Sequence, residues 1–412
     1  ESGERIQPYK APATGRRIAV VGGGVEGLAA AFFSARLGHA STVFEATPHL
    51  GGLLRSAIAA ERLPQEILEW DLDGIVAMGV EAQTGQALGR DFTIASLLQA
   101  DFAAVFVAVG GWDSRCARGA AAEVESPIPG TFLLLDLLKF GAARPAEIAC
   151  QSEVVISGGG QLALNAAKIC KDLGAQEITI LFRESWQNSP IAEADVAKMG
   201  LSGVKVVHNA AVNRMVGEDD RLTELEYVET DTGQKTTVAA QTFIIAAGRF
   251  PELIFVKSKS AETEAEEPAS ASLRWEAVPP YKQPAFKHEI GMFAAGEVLA
   301  DYGAAIKAIG AGRRAAASIH QIMNGIAPSL TEHVITPHSI LQNVDHVEDV
   351  AASRRQIMPL CSRKDLSVCG EIEKGFTADM AQTEAARCLQ CGLICYERSE
   401  VGATVHRDDA TL

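Results

Sequence analysis

The stretch RRIAVVGGGVEGLAAAFFSARLGHASTVFEA, residues 16–46, leaves this chain little choice of architecture. A short apolar β run, IAVV, ends in GGGVEG, passes into the helical pattern LAAAFFSARLG and returns to an apolar run, STVFE. Gly22, Gly24 and Gly27 stand in GxGxxG spacing. The first glycine of such a unit permits a tight turn, the second lets the backbone approach a pyrophosphate, and the third lets helix and strand pack closely. The pyrophosphate then sits at the helix N-terminus, where unpaired N–H groups and the macrodipole favour an anion. Glu45, at the end of the second strand, is placed to accept hydrogen bonds from an adenosine ribose. The glycine pattern alone is weak, but with both strands, the helix and the acid in register it predicts a dinucleotide site. The alternative is a glycine turn closing a βαβ unit that holds nothing.

The unit occurs twice. EVVISGGGQLALNAAKICKDLGAQEITILFRES, residues 153–185, again runs strand, glycine turn, helix, strand, with Gly158 and Gly160 matching GxG. Ala163 takes the third position, which needs only a small residue for helix–strand contact. Composition agrees with an α/β protein of two or three domains: 412 residues, 37 glycines and 6% aromatics. A net charge of −15 argues against a nucleic-acid surface. No apolar run reaches the roughly 18 residues of a spanning helix, and the start, ESGERIQPYK, has neither an initiator Met nor an apolar signal core. Cys116, Cys150, Cys170, Cys361 and Cys369 are dispersed and form no CxxC, so a reducing, cytoplasmic location is expected. SKSAETEAEEPASAS, residues 258–272, is acidic, rich in small residues and without periodicity, which reads as a surface loop.

Downstream of Glu45, PHLGGLLR (residues 48–55) supplies Gly52 and Arg55. Here the sequence resembles the FAD-binding half of the two-dinucleotide-domain flavoproteins, and more narrowly the small (beta) subunit of glutamate synthase and its NAD(P)H-dependent relatives. The resemblance runs through RLPQEILEWDLDGIVAMGVEAQTGQALGRDFTIASLL into AVFVAVGGW, residues 104–112, with Gly110 in the crossover. It resumes in GMFAAGEVLADYGAAIKAIGAGRRAA, residues 291–316. There it implies that Gly296 and Glu297, the latter in place of the usual Asp, hold the FAD ribityl chain. A following helix from about Ala304, with Ala305 in its first turn, would then point its N-terminus at the flavin. Flanked by these segments, the second unit implies an NAD(P)-binding domain inserted into an FAD domain, closed by the strand TFIIAAGR at 242–249. The expected division is an FAD-binding domain at 1–140, an inserted NAD(P)-binding domain at 141–284, the rest of the FAD domain at 285–330 and a C-terminal extension at 331–412.

Three departures matter. The relatives follow GGLLR with Tyr-Gly-Ile-Pro, where this chain has Ser56-Ala57-Ile58-Ala59. They read GGGNTAMDAA at the second turn, where this chain has Gln161 and Asn165, so a domain that keeps the fold but binds nicotinamide poorly stays open. The NADPH-using relatives carry Arg-Arg-Ser-Arg after the second strand, where this chain reads Arg183-Glu184-Ser185-Trp186. A carboxylate there repels a 2′-phosphate yet can accept hydrogen bonds from a free 2′-hydroxyl, so NADH is expected over NADPH.

EAARCLQCGLICY, residues 384–396, clusters three of the eight cysteines. Cys388, Cys391 and Cys395 are spaced C-x2-C-x3-C, close to iron–sulfur ligand spacing. A cluster of the 4Fe-4S type, structural zinc and unliganded thiols remain the three readings. Cys369 is the first candidate for a fourth ligand, ahead of Cys361 and His406, and a partner subunit could also supply it. Cys116, Cys150 and Cys170 read as small buried hydrophobes. No dithiol precedes Cys388 that could lie against a flavin, so the substrate is not expected to be a disulfide reduced there. The resemblance implies an FAD-containing electron-transfer subunit of a multi-subunit oxidoreductase, working between NAD(P)H and an iron–sulfur relay or other redox partner. The alternative is a non-catalytic FAD and iron–sulfur relay or scaffold subunit with a degenerate nicotinamide site.

Overall fold

The computed structural model describes residues 7–111, 126–141, 150–198, 203–258, 272–281, 305–329, 354–362 and 371–387, with isolated positions between them. Two compact units partition the chain: Glu1–Ile58 with Glu66–Ser329, and Ala59–Gln65 with Leu330–Leu412.

The larger unit is α/β, with two sheets. Its first βαβ is β1 (Arg17–Val21), α1 (Val25–Arg36) and β2 (Ala40–Glu45). There follow α2 (Leu53–Ser56), α3 (Gln65–Ala77), β3 (Glu81–Thr84), α4 (Ile94–Gln99) and β4 (Ala104–Val107). The chain then makes β5 (Thr131–Leu133) and α5 (Leu134–Phe140), and the second βαβ of β6 (Glu153–Ser157), α6 (Gln161–Asp172) and β7 (Glu177–Leu181). A short helix, α7 (Glu193–Lys198), and β8 (Lys205–Val207) lead to an antiparallel run of β9 (Ala210–Glu218), β10 (Arg221–Glu229) and β11 (Lys235–Ala239). The unit ends with β12 (Thr242–Ile245), β13 (Leu253–Lys257), β14 (Arg274–Val278) and α8 (Ala305–Met323).

One sheet has the order β11-β10-β9-β14-β13-β4-β1-β2-β3, and the other β5-β12-β6-β7-β8. The second is parallel throughout, as is the β4-β1-β2-β3 portion of the first. In each sheet the glycine-turn strand lies between strands reached in opposite directions, the topological switch point where open α/β sheets bind ligands. The sheets do not follow the expected limits of 140 and 284. β5 and α5 start the second sheet's unit before residue 141, and β9–β11, β13 and β14 extend the first sheet.

Alternation along the central strands explains why both faces are covered. Ile18 and Val20 point into a layer with Ala30, Ala31, Ala315 and Ile319 from α1 and α8. Ala19 and Val21 point into the opposite layer with Phe44, Val105, Phe255 and Trp275. A third core under the second sheet holds Ile156, Ala163, Ala167, Cys170, Ile178 and Ile244. Each fully buried Val, Ile or Phe side chain among them contributes about 1.5–3 kcal/mol, so these layers fix where the glycine turns emerge.

The smaller unit contains α9 (Ala378–Ala385) and a chain reversal that brings Leu360 beside Glu373. Leu360 bridges Glu373, the Cys361 amide donates to the Ile372 carbonyl, and a disulfide joins Cys361 to Cys369 across a Cα separation of 6.3 Å. The segment 59–65 belongs to this unit: Ile372 N–H donates to the Glu61 carbonyl at 2.9 Å, and Arg62 pairs with Glu373 at 2.9 Å. Thr377 caps α9, its hydroxyl accepting from Met380 N–H.

Candidate dinucleotide sites

The first site is built where β1, β2 and β4 end. Gly22 turns the chain at φ +110°, and its N–H donates to the Phe44 carbonyl at 2.8 Å. A side chain there would collide with the Ala108 carbonyl, so only glycine fits. At Gly27 a Cβ would meet the Gly22 carbonyl, which is the close helix–turn contact the third glycine serves. Gly24 differs: it is the N-cap of α1, and a Cβ on it would meet nothing within 4 Å. That open space beside a helix N-terminus is a cradle a side chain would fill, and it suits a pyrophosphate.

The GGLLR segment closes on this turn. Gly51 N–H donates to the Gly23 carbonyl at 2.8 Å, and a Cβ on Gly52 would stand 2.9 Å from the Gly24 Cα. Gly52 caps α2 at φ +52°. Arg55 does not reach into the cradle. Its Nε donates to the Leu50 carbonyl and its guanidinium pairs with Glu69 at 2.7 Å, which anchors the loop. Glu45 is 8% exposed at the end of β2. One carboxylate oxygen accepts from Gly23 N–H at 2.7 Å, the other from the N–H and hydroxyl of Thr47. A carboxylate has about four acceptor positions, so one remains for a ribose hydroxyl. The contribution of Thr47 carried no signal in the spacing. Gly110, at φ +72°, accepts from Phe250 N–H, and Gly111 bridges Arg249, so the two connections between the sheets pair there. Arg249 also lies 3.8 Å from the Glu26 carboxylate in the first turn of α1.

The second site repeats this geometry at the ends of β6 and β7. Gly158, Gly159 and Gly160 all have positive φ, and Gly158 N–H donates to the Leu181 carbonyl at 3.0 Å. Side chains at Gly158 and Gly160 would make only ordinary contacts, with Ala246 at 3.5 Å and Pro190 at 3.7 Å. Backbone angle, not space, demands glycine here. Ala163 is fully buried against the sheet. Gln161 turns sideways, its amide donating to the Pro190 carbonyl and the Asp195 carboxylate at 3.3 Å each. Beyond β7, Arg183 is half-buried and Glu184 exposed. The Glu184 carbonyl accepts from Asn209 N–H, and Trp186 stands edge-on to His208 with ring centroids 5.0 Å apart. The structure therefore brings Gly158, Gly160, Arg183 and Glu184 to one end of the second sheet.

Ala305 begins α8 as described, exposed at the start of the helix that packs on α1. Gly296, Glu297, Cys388, Cys391 and Cys395 lie outside the described residues. Cys369 requires a correction. Its sulfur is bonded to Cys361, and a disulfide sulfur has no thiolate to offer a cluster, so neither is the fourth ligand. Cys150 and Cys170 are not isolated: their sulfurs are 3.5 Å apart. Among the described residues no group of three His, Cys, Asp or Glu side chains could hold a metal ion, and no helix is long and apolar enough to cross a membrane.

Comparison with known proteins gives the same picture. The chain is 28% identical over 412 residues to the NADP(+)-dependent formate dehydrogenase subunit beta of Moorella thermoacetica, covering 92% of this chain and 55% of that protein. It is 26% identical over 312 residues to the NAD-dependent dihydropyrimidine dehydrogenase subunit PreT of Salmonella typhimurium, covering 74% and 68%. With the glutamate synthase [NADPH] small chain of Escherichia coli it shares 29% over 246 residues, 57% of this chain and 51% of that one. The chain thus spans little more than half the length of the first and third of these relatives. Residues 17–270, which hold both glycine turns and the strands that carry them, match the description pyridine nucleotide-disulphide oxidoreductase. The chain is a flavoprotein with paired FAD and NAD(P)H sites, and it belongs to the pyridine nucleotide-disulphide oxidoreductase family.

Proposed function

We propose that this chain is the FAD-carrying subunit of a larger oxidoreductase, passing electrons between NADH and an iron–sulfur relay or redox partner. The observation that carries the reading is the open cradle at Gly24, duplicated by a second glycine turn at the switch point of a second parallel sheet. Relatives named as subunits of formate dehydrogenase, dihydropyrimidine dehydrogenase and glutamate synthase support a partner-dependent role. The chemistry supplied when both cofactors are bound is hydride transfer between nicotinamide and flavin, followed by release of the electrons singly. The chain contributes placement. The α1 N-terminus receives the pyrophosphate beside Gly24 and Gly52, and Glu45 accepts from ribose while holding the turn through Gly23. Gly158 and Gly160 receive the second dinucleotide. No nucleophile–base set is required, because the reacting atoms belong to the cofactors. NADH turnover suits a cytoplasmic location, and the acidic surface suits protein partners over nucleic acid.

NADH is preferred because Glu184 stands exposed where a 2′-phosphate would lie, in a loop fixed by the bond from Asn209 to its carbonyl. Titrating NADH and NADPH against bleaching of the flavin absorbance tests this. NADH is expected to bind more tightly, and Glu184→Arg with Trp186→Arg to raise NADPH affinity about tenfold, the worth of one good charge-assisted contact of about 1.4 kcal/mol. Tighter NADPH binding in the unmodified protein refutes the preference. Gln161, turned onto Pro190 and Asp195, favours the second reading, a relay subunit with a degenerate nicotinamide site. Flavin that stays oxidised at saturating NADH would establish that reading.

Cys388, Cys391 and Cys395 supply three ligands of a 4Fe-4S cluster in this proposal, with the fourth from His406 or a partner subunit. Protein prepared without oxygen should contain iron and acid-labile sulfide at about 1:1, lost in Cys391→Ser. Zinc without sulfide would show a structural site instead.

A further inference from the structure

Two thiols beside the second sheet of the larger unit face each other without a disulfide between them. Cys170 sits in the middle of the last turns of α6, fully buried in the core beneath the second sheet. Cys150 lies just ahead of β6, half-buried, its N–H donating to the Ile148 carbonyl at 2.9 Å. Their sulfurs share a hydrogen bond at 3.5 Å. A disulfide needs about 2 Å, so the two sulfurs must come about 1.5 Å closer to bond.

The two cysteines differ in the way a stepwise exchange requires. The bond from Cys170 holds the Cys150 thiol below its usual range, and that same bond, with burial, pushes the Cys170 thiol up. Cys150 is also the less buried of the two. It is therefore the thiol that ionises and meets a reagent first, while Cys170 waits behind it as a protonated resolving thiol.

We propose that Cys150 and Cys170 form a reversible redox dithiol that, when oxidised, staples the entry of β6 to α6, the helix carrying the second glycine turn. The oxidant is a low-molecular-weight disulfide. The Cys150 thiolate attacks one of its sulfurs, forming a mixed disulfide and expelling one thiolate. Cys170 gives up its proton and attacks the Cys150 sulfur, forming the Cys150–Cys170 bond and expelling the second thiolate. Two electrons pass to the reagent, whose halves leave as thiols carrying the two protons. Because β6 and α6 meet at Gly158–Gly160, the bond forms on the scaffold that positions this turn, while touching none of the residues placed at the dinucleotide.

The test uses the full chain, incubated with oxidised glutathione, alkylated under denaturing conditions, digested and weighed. A Cys150–Cys170 cross-linked peptide two hydrogens lighter than the reduced pair is expected, with two fewer alkylated thiols per chain, restored by a phosphine reductant. In Cys170→Ala, Cys150 should remain as the glutathione mixed disulfide, whereas in Cys150→Ala, Cys170 should stay reduced. The unmodified protein decides the matter even if a variant fails to fold. Full alkylation of both cysteines after oxidation, or cross-links from Cys150 to other cysteines instead, overturns the proposal.

Discussion

At Gly24 a single hydrogen in place of a side chain leaves the N-terminus of α1 open, and among the described residues no atom lies within 4 Å of where its Cβ would stand. Gly24→Val should therefore fold normally, since the position of its Cβ is open, and yet purify without flavin. Far-ultraviolet circular dichroism and the flavin absorbance of the same sample check both halves, and stoichiometric FAD in the variant would remove the assignment. The spacing made this glycine legible because the backbone geometry of a phosphate turn is local, set by residues within one turn of each other. Glu45 was legible only in part. Its place at the end of β2 follows from strand length, but its grip on Gly23 and Thr47 depends on a turn the spacing does not encode. The cysteine partners were not legible at all. Cys361 meets Cys369 through a chain reversal, and Cys150 meets Cys170 across a strand entry and a helix, and neither is a sequence pattern.

Among the elements, α1 and α8 pack tightly against each other. A Cβ on Gly312 would collide with the Glu26 carbonyl and stand 2.7 Å from both the Ala29 Cβ and the Ala30 nitrogen. One turn-half away, a Cβ on Gly310 would find only the Arg314 guanidinium, at 3.6 Å. Replacing a helical glycine by alanine gains up to about 1 kcal/mol of propensity, whereas forcing a methyl group into packed backbone costs about 1–3 kcal/mol. Gly310→Ala should thus raise the urea midpoint and Gly312→Ala lower it; equal and positive shifts would mean that the helices do not touch at Gly312. The helices after the two glycine turns, and α9 with its Thr377 cap, could be read from the sequence pattern. β5 could not be assigned from sequence to the right sheet, because a run as short as TFL suits a buried strand of either sheet, and only its pairing with β12 decides.

For the molecule as a whole, one buried histidine makes stability depend on pH. His39 is 1% exposed, bonded to Thr14 through Nδ1 and to His320 Nδ1 through Nε2 at 3.0 Å. Burial first, then the neighbouring His320 and Arg16, lowers its pKa from 6.5 to about 4. The unfolded chain therefore binds the proton more readily between those values. Stability is complete above about pH 6.5, falls as the pH drops toward about 4 and levels off below, by at most about 3 kcal/mol. In His39→Gln the slope of unfolding free energy against pH should flatten within that window, and an unchanged slope would assign the loss to other groups.

The pairing of β4 with β13 has a consequence for how the chain is made. Leu253, Ile254 and Phe255 align with Val107, Phe106 and Val105, and the entire second sheet is encoded between them. While a ribosome is still delivering β6 to β12, β4 has no neighbour on that side and offers its bare edge to any passing strand. Closing so long a loop is slow compared with forming either βαβ unit. The nascent chain is thus most exposed to aggregation midway through synthesis, and chaperone binding should peak there, subsiding once Leu253–Lys257 has emerged.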